Sequence, residues 1–184
     1  VTLLPSTFIA VVKEICVGLG RTGFRTVIVL TGNRANDPSV ECACWEAKLE
    51  LGDTRVLWLA YQSVMKGRLV EAVGHNVRKE DMQYGSSGHG GYVEMSLAAL
   101  YDPNSVRPDL YVKPDSSGAD FKRSLSVGGP MFTDEYTDDG IFGDPHGTSP
   151  ELGKQIADFC ATEIAKEINI YLERFSGRGK AAGV

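Results

Sequence analysis

The chain has 184 residues, enough for one domain with a substantial buried core. Its hydrophobic content of 42% and charged content of 23% are those of an ordinary globular protein. The formal net charge of -5 argues against nucleic acid and anionic membrane surfaces as partners, and no run reaches the roughly 18 apolar residues of a membrane-spanning helix.

The opening "VTLLPSTFIAVV" is apolar but lacks a basic leading region, so it does not read as a signal peptide. From Ser6 to Gly20, the residues Phe8, Ile9, Val12, Ile15, Cys16 and Leu19 recur at helical spacing, with Ser6 or Thr7 as N-cap and Gly20 near the C-cap. Thr26 to Leu30 is a continuous apolar run with β-branched residues, the pattern of a buried parallel strand. Asp37 and Pro38 open a second helix, Asp37 as N-cap, that runs to about Leu51. Arg55 to Tyr61, "RVLWLAY", reads as a second buried strand. Helix, strand, helix, strand in that order predicts an α/β domain with a parallel sheet. Trp45 and Trp58 fall in a helix and a strand and are expected in the core.

A third helix follows Gly90 and runs to about Tyr101, closed by Asp102 and Pro103. Residues 102–149 hold little periodicity and many Gly, Pro, Asp and Ser, so they read as a long loop serving function or an interface. The last helix starts with Ser149 as N-cap and Pro150 at its first position, and continues to about Phe175. Residues 1–175 thus form a single domain, with 176–184 as a frayed tail.

The cysteines Cys16, Cys42, Cys44 and Cys160 show no zinc-ribbon spacing. Cys42 and Cys44 lie two apart on a helix, where side chains diverge, so they do not suit one metal. All four read as reduced thiols of a cytoplasmic protein.

Gly18-Leu19-Gly20-Arg21-Thr22-Gly23 matches a dinucleotide-binding pattern in letters only. It follows a helix and precedes a strand, the reverse of what a pyrophosphate cradle needs, so its glycines end the helix and turn the chain. The acidic cluster Asp134, Glu135, Asp138 and Asp139 lacks a calcium-loop spacing and reads as a solvated loop. His75 and His146 lie in loops; "GDPHGTSP" around His146 is accounted for by turn chemistry, although it directly precedes a helix. His89 stands apart. In "GSSGHGGYVE" glycines on both sides permit unusual backbone angles and close approach of a ligand. The helix behind it offers N–H groups and a positive dipole end, and Glu94 lies five residues on.

The segment "HGGYVEMSLAALYDPNSVRPD" resembles the creatininase family motif His-Ala/Gly-Gly-x-x-Glu-Thr-Ser with its following helix and Pro-x-x-Val. "LPSTFIAVVKEICVGLGRTGFRTVIVLTGN" resembles the same family's helix and strand, and "GIFGDPHGTSPELGKQI" its closing Gly-Asp-Pro segment. The resemblance implies a three-layer α/β/α sandwich with a mostly parallel sheet, commonly assembled into hexamers. It also implies two divalent metals, zinc or manganese, and hydrolysis of cyclic amides and related C–N bonds. His89 matches the family's proton-handling histidine and Glu94 the glutamate of the motif, so both are expected to be catalytic.

The chain departs from the family at its strand end, where Thr31-Gly32-Asn33-Arg34-Ala35-Asn36 replaces Asn-Gly-His-x-x-Asn. Asn33 stands where the family has a metal-site histidine, and Ala35 where creatininase has a metal-binding glutamate. Gln62 takes the place of a substrate-covering tryptophan. The family's leading portion, which supplies the remaining metal ligands and the first strand, has no counterpart in these residues. The fold is therefore expected to be incomplete at its N-terminal side. Two readings follow. In the first, the chain is part of a metal-dependent hydrolase assembly, with a second polypeptide or identical subunits completing the sheet and the site around a small-molecule substrate. In the second, it is a non-catalytic structural or regulatory member that binds a small molecule or partner subunit. A metal-free enzyme using Ser87 or Ser96 as nucleophile has no sequence feature to place one beside His89.

Overall fold

The computed structural model describes residues 3–65, 68, 71–72, 88–111, 135, 138, 140–141 and 143–176. They fall into two compact units, Val1–Val64 and Met65–Val184.

The first unit begins with helix α1, Pro5–Arg21. Its N-cap is Leu4, so neither Ser6 nor Thr7 caps it as expected. Proline decides this: its fixed φ suits the first helical position and its missing N–H costs nothing there. Gly20 lies inside the helix, and the chain turns at Gly23, whose φ of 104° only glycine adopts comfortably. A Cβ on Gly20 would sit 2.5 Å from Leu51 Cδ1, so the end of the Leu51 side chain rests on this glycine.

Strand β1, Thr26–Thr31, and strand β2, Arg55–Ala60, pair in parallel, with Val27 opposite Val56 and Thr31 opposite Ala60. Between them runs α2, Asp37–Leu51. Its N-cap is Asn36 and not Asp37; the Asp37 carboxylate instead accepts from the Thr31 hydroxyl at 2.6 Å, tying strand end to helix start. The helices α1 and α2 pack together and on the sheet. Cys16, Val17, Val27 and Ala47 form the core there, with Val12, Val29, Leu51 and Val56 against them. Alternation along β1 sends Val27 and Val29 to these helices and Leu30 to the opposite face, where it is 55% exposed.

Neither tryptophan is a core residue. Trp45 is 64% exposed because the buried stripe of α2 runs through Val40, Ala43, Cys44 and Ala47, and Trp45 lies about 100° around the helix from Cys44. Trp58 remains 37% exposed on β2, which borders only β1 among the described residues. Strand β2 ends a residue before Tyr61, which opens the short helix α3, Tyr61–Met65.

The second unit is organised by α4, Tyr92–Tyr101, and α5, Pro150–Ser176, which pack on each other. Tyr92, Val93, Ser96 and Ala99 are the buried side of α4, and Ile156 and Cys160 the buried side of α5. Ser149 caps α5 as expected, its hydroxyl accepting from Leu152 N–H at 3.1 Å. Arg68 joins α5 through Glu163 Oε2 at 2.7 Å, and its guanidinium lies 5.0 Å from the Phe159 ring centre. In the expected loop the described residues form single 3-10 turns at Pro103–Ser105 and Pro108–Leu110. His75, Ser87, Asp134, Asp139 and residues 177–184 lie outside the described residues.

The architecture is mixed α/β with a parallel sheet, as expected. No described helix is long and apolar enough to cross a membrane.

Candidate functional site

The loop before α4 is shaped by its glycines. Gly88 and Gly90 hold φ values of 84° and 70°, on either side of His89. Any side chain would be strained at both positions, and a Cβ on Gly90 would also press on Ile141 at 3.1 Å. Two backbone hydrogen bonds stitch this loop to the segment before α5. Gly143 N–H donates to His89 O at 2.8 Å, and Tyr92 N–H donates to Asp144 O at 2.9 Å.

Glu94 is the third residue of α4, after the N-cap Gly91. Its Oε2 accepts from Gly90 N–H at 2.8 Å, one residue before the N-cap, which ties the first turn of α4 back to the glycine loop. The positive end of the helix favours a negative charge there. His89 Nδ1 lies 3.7 Å from the same oxygen, and the ring is 54% exposed. Thus the structure brings His89 and Glu94 together, at a separation beyond a direct hydrogen bond but within ion-pair reach. A solvent-accessible imidazole beside a carboxylate has the side-chain types and exposure of a general acid–base group.

The preceding segment holds a second pair that sequence reasoning set aside. His146 Nδ1 is 2.7 Å from Asp144 Oδ1, which also accepts from His146 N–H at 2.9 Å. The signal was an aspartate two residues before a histidine, a spacing at which a turn folds carboxylate onto imidazole.

Asn33 lies in the first unit, where its side-chain oxygen serves local structure. Its Oδ1 accepts from Ala35 N–H at 2.9 Å and caps the 3-10 turn Arg34–Asn36. Nearby, Gln62 Nε2 donates to Gly32 O at 3.3 Å, while its buried Oε1 has no partner among the described residues. Ser96 is wholly buried, and its hydroxyl accepts from Ser149 N–H at 3.1 Å, which commits it to joining α4 and α5. Among the described residues no group of three or more His, Cys, Asp or Glu side chains converges to hold a metal ion. The residues described therefore do not fit a zinc or manganese centre, which needs several such ligands.

All four cysteines are free. As the helical spacing implies, Cys42 is exposed while Cys44 is buried. Burial pushes the Cys44 thiol up to about 12, with its neighbour Cys16 adding to the effect, and burial alone lifts Cys160 to about 11. These thiols are packing groups, not nucleophiles.

The creatininase profile, described as creatinine amidohydrolase, matches residues 1–168. The chain belongs to the creatininase family. Solved creatininases share its fold at low identity. A creatinine amidohydrolase (creatininase) crystal structure aligns with a TM-score of 0.73 and 21% identity, covering 93% of this chain and 65% of that one. A manganese creatininase aligns with a TM-score of 0.73 and 22% identity, covering 95% and 66%. A mutant creatininase of Zn-Zn type gives the same four values, 0.73, 22%, 95% and 66%. This family member thus spans about 66% of the length of those creatininases. No curated protein is a significant match.

Proposed function

We propose that the chain is part of a creatininase-type hydrolase that cleaves an amide or related C–N bond of a small, cyclic substrate. The observation that carries this is the glycine-framed pair of His89 and Glu94, in a chain matched to the creatininase profile across residues 1–168. His89 handles protons. It takes one from the attacking water, whose oxygen bonds to the carbonyl carbon, and returns one to the nitrogen that leaves as the C–N bond breaks. Glu94 positions the loop through Gly90 N–H and lies 3.7 Å from the His89 ring.

The divalent metals named in two of the structural neighbours have no ligand set among the described residues. In this reading their ligands come from a second polypeptide or an identical subunit, which also completes the sheet beside β1 and β2. Residues 1–175 act as one creatininase-like domain, in the cytoplasm, where free thiols such as those of this chain persist.

Asn33 supports a second reading. It stands at a position where a ligand would be expected and its side chain caps a turn instead, next to an alanine with no ligand atom. On that basis the chain is a non-catalytic member that binds a small molecule or a partner subunit.

Native mass spectrometry of the purified assembly, with metal analysis, separates the two. About two zinc or manganese ions per site supports the hydrolase. A metal-free homo-oligomer supports the binding protein.

A further inference from the structure

The segment just before α5 carries a second imidazole, held closer to a carboxylate than His89 is to Glu94. His146 Nδ1 lies 2.7 Å from Asp144 Oδ1, whereas His89 Nδ1 is 3.7 Å from a Glu94 oxygen that already accepts from Gly90 N–H. We infer that His146 is a second substrate-contacting imidazole of the candidate site, with Nε2 accepting a hydrogen bond from an N–H group of the ligand. This rests on reading the His89 loop as that site.

The chemistry follows from the donor and acceptor inventory. A carboxylate offers lone pairs only, so the ring nitrogen facing Asp144 carries the hydrogen. In the neutral ring Nε2 is then a bare acceptor. No described residue bonds that atom, and the side chain is 55% exposed, so a ligand can reach it. Orientation is restricted twice. The oxygen that holds the ring also holds the His146 backbone N–H at 2.9 Å, and the Tyr111 ring stands edge-on with its centre 6.2 Å away. Location is fixed by the bonds that flank the pair: Gly143 N–H on His89 O and Asp144 O on Tyr92 N–H. Any ligand lying over the His89 loop therefore lies beside the segment that presents His146. The class of ligand that satisfies a bare imidazole nitrogen is a small amide, ureide or amidine with an N–H donor. No bond is made or broken in this contact.

The test uses the full chain labelled with 15N-histidine, at a pH where the rings are neutral, with the three histidines of the sequence assigned by single substitutions. The expected spectrum has His146 protonated on Nδ1 and bare on Nε2. Hydantoin, a cyclic ureide with N–H donors, is expected to move the His146 Nε2 resonance. Its 1,3-dimethyl derivative, which has none, is expected to leave it in place. His146→Ala should weaken hydantoin binding about tenfold, the loss of one well-placed hydrogen bond. Hydantoin moving His89 alone would overturn the role of His146 while leaving the His89 site standing. Equal shifts with both compounds would overturn the N–H contact. Movement of neither histidine would overturn this inference together with the His89 site itself.

Discussion

Gly153 of α5 lies directly on the backbone of Ser96 in α4: a Cβ built on that glycine would fall 2.1 Å from Ser96 O. The same serine accepts Ser149 N–H at 3.1 Å, so one turn of α4 both receives α5 and fixes where it starts. The loop bearing Asp144 and His146 enters α5 at this point, so the contact also positions the candidate site.

Gly153→Ala must push the helices apart, because the obstructing atom is backbone. The expected cost is about 3 kcal/mol, the upper end for overpacking. Gly20→Ala is the contrasting case. Its Cβ would meet only the end of the Leu51 side chain, which can rotate away, and alanine is the better helix former by up to about 1 kcal/mol. The net change there is expected to stay within about 1 kcal/mol. Chemical denaturation of the two variants checks both values. Equal losses would mean that the α4–α5 contact is looser than described.

The thiols give a prediction in alkaline solution. Cys44 and Cys160 are held above the ordinary thiol value near 9, at about 12 and about 11. Folding therefore favours the protonated thiols. This contribution is whole below pH 9 and declines between about pH 9 and 12, as the unfolded chain ionises while the folded one does not. Thermal melts across that range should fall less steeply for Cys44→Ala than for the wild type. At neutral pH a thiol reagent should label the exposed Cys42 at once and the buried Cys16, Cys44 and Cys160 only on unfolding.

Arg68 bridges Glu71 and Glu163, with contacts of 2.7 Å to each, and its guanidinium draws both carboxyls below their usual range. Stability from a depressed carboxylate is present above its unfolded value and disappears as pH falls through the folded one. Arg68→Ala is expected to lower Tm by a few degrees at pH 7, part of it from lost packing on Phe159, and by less at pH 3. A loss independent of pH would assign the effect to packing alone.

The strands and helices were legible where periodicity was strong. β1, α2, β2, α4 and α5 lie within a residue or two of their expected positions, and β1 pairs with β2 in parallel. What failed was local competition. Pro5 overrode two serine and threonine cap candidates, and Asn36 displaced Asp37, whose carboxylate was drawn to the Thr31 hydroxyl. The tryptophans depart from expectation because residue type alone does not fix burial, and the buried stripe of small residues on α2 leaves Trp45 outside it. Within the candidate site, glycines announced the His89 loop because only they tolerate its positive φ values. The pairing of His146 with Asp144 left no periodic trace, since it depends on how one turn folds back on itself.

The proposed role of His89 is tested most directly by turnover of creatinine and a panel of cyclic amides by the intact assembly, comparing the wild type with His89→Ala at matched oligomeric state. The expected loss is at least about a hundredfold in kcat, the contribution of a proton-handling side chain, with the fold and assembly unchanged. Wild-type turnover that survives the substitution would contradict it, and would leave His89 as a residue of the glycine loop alone.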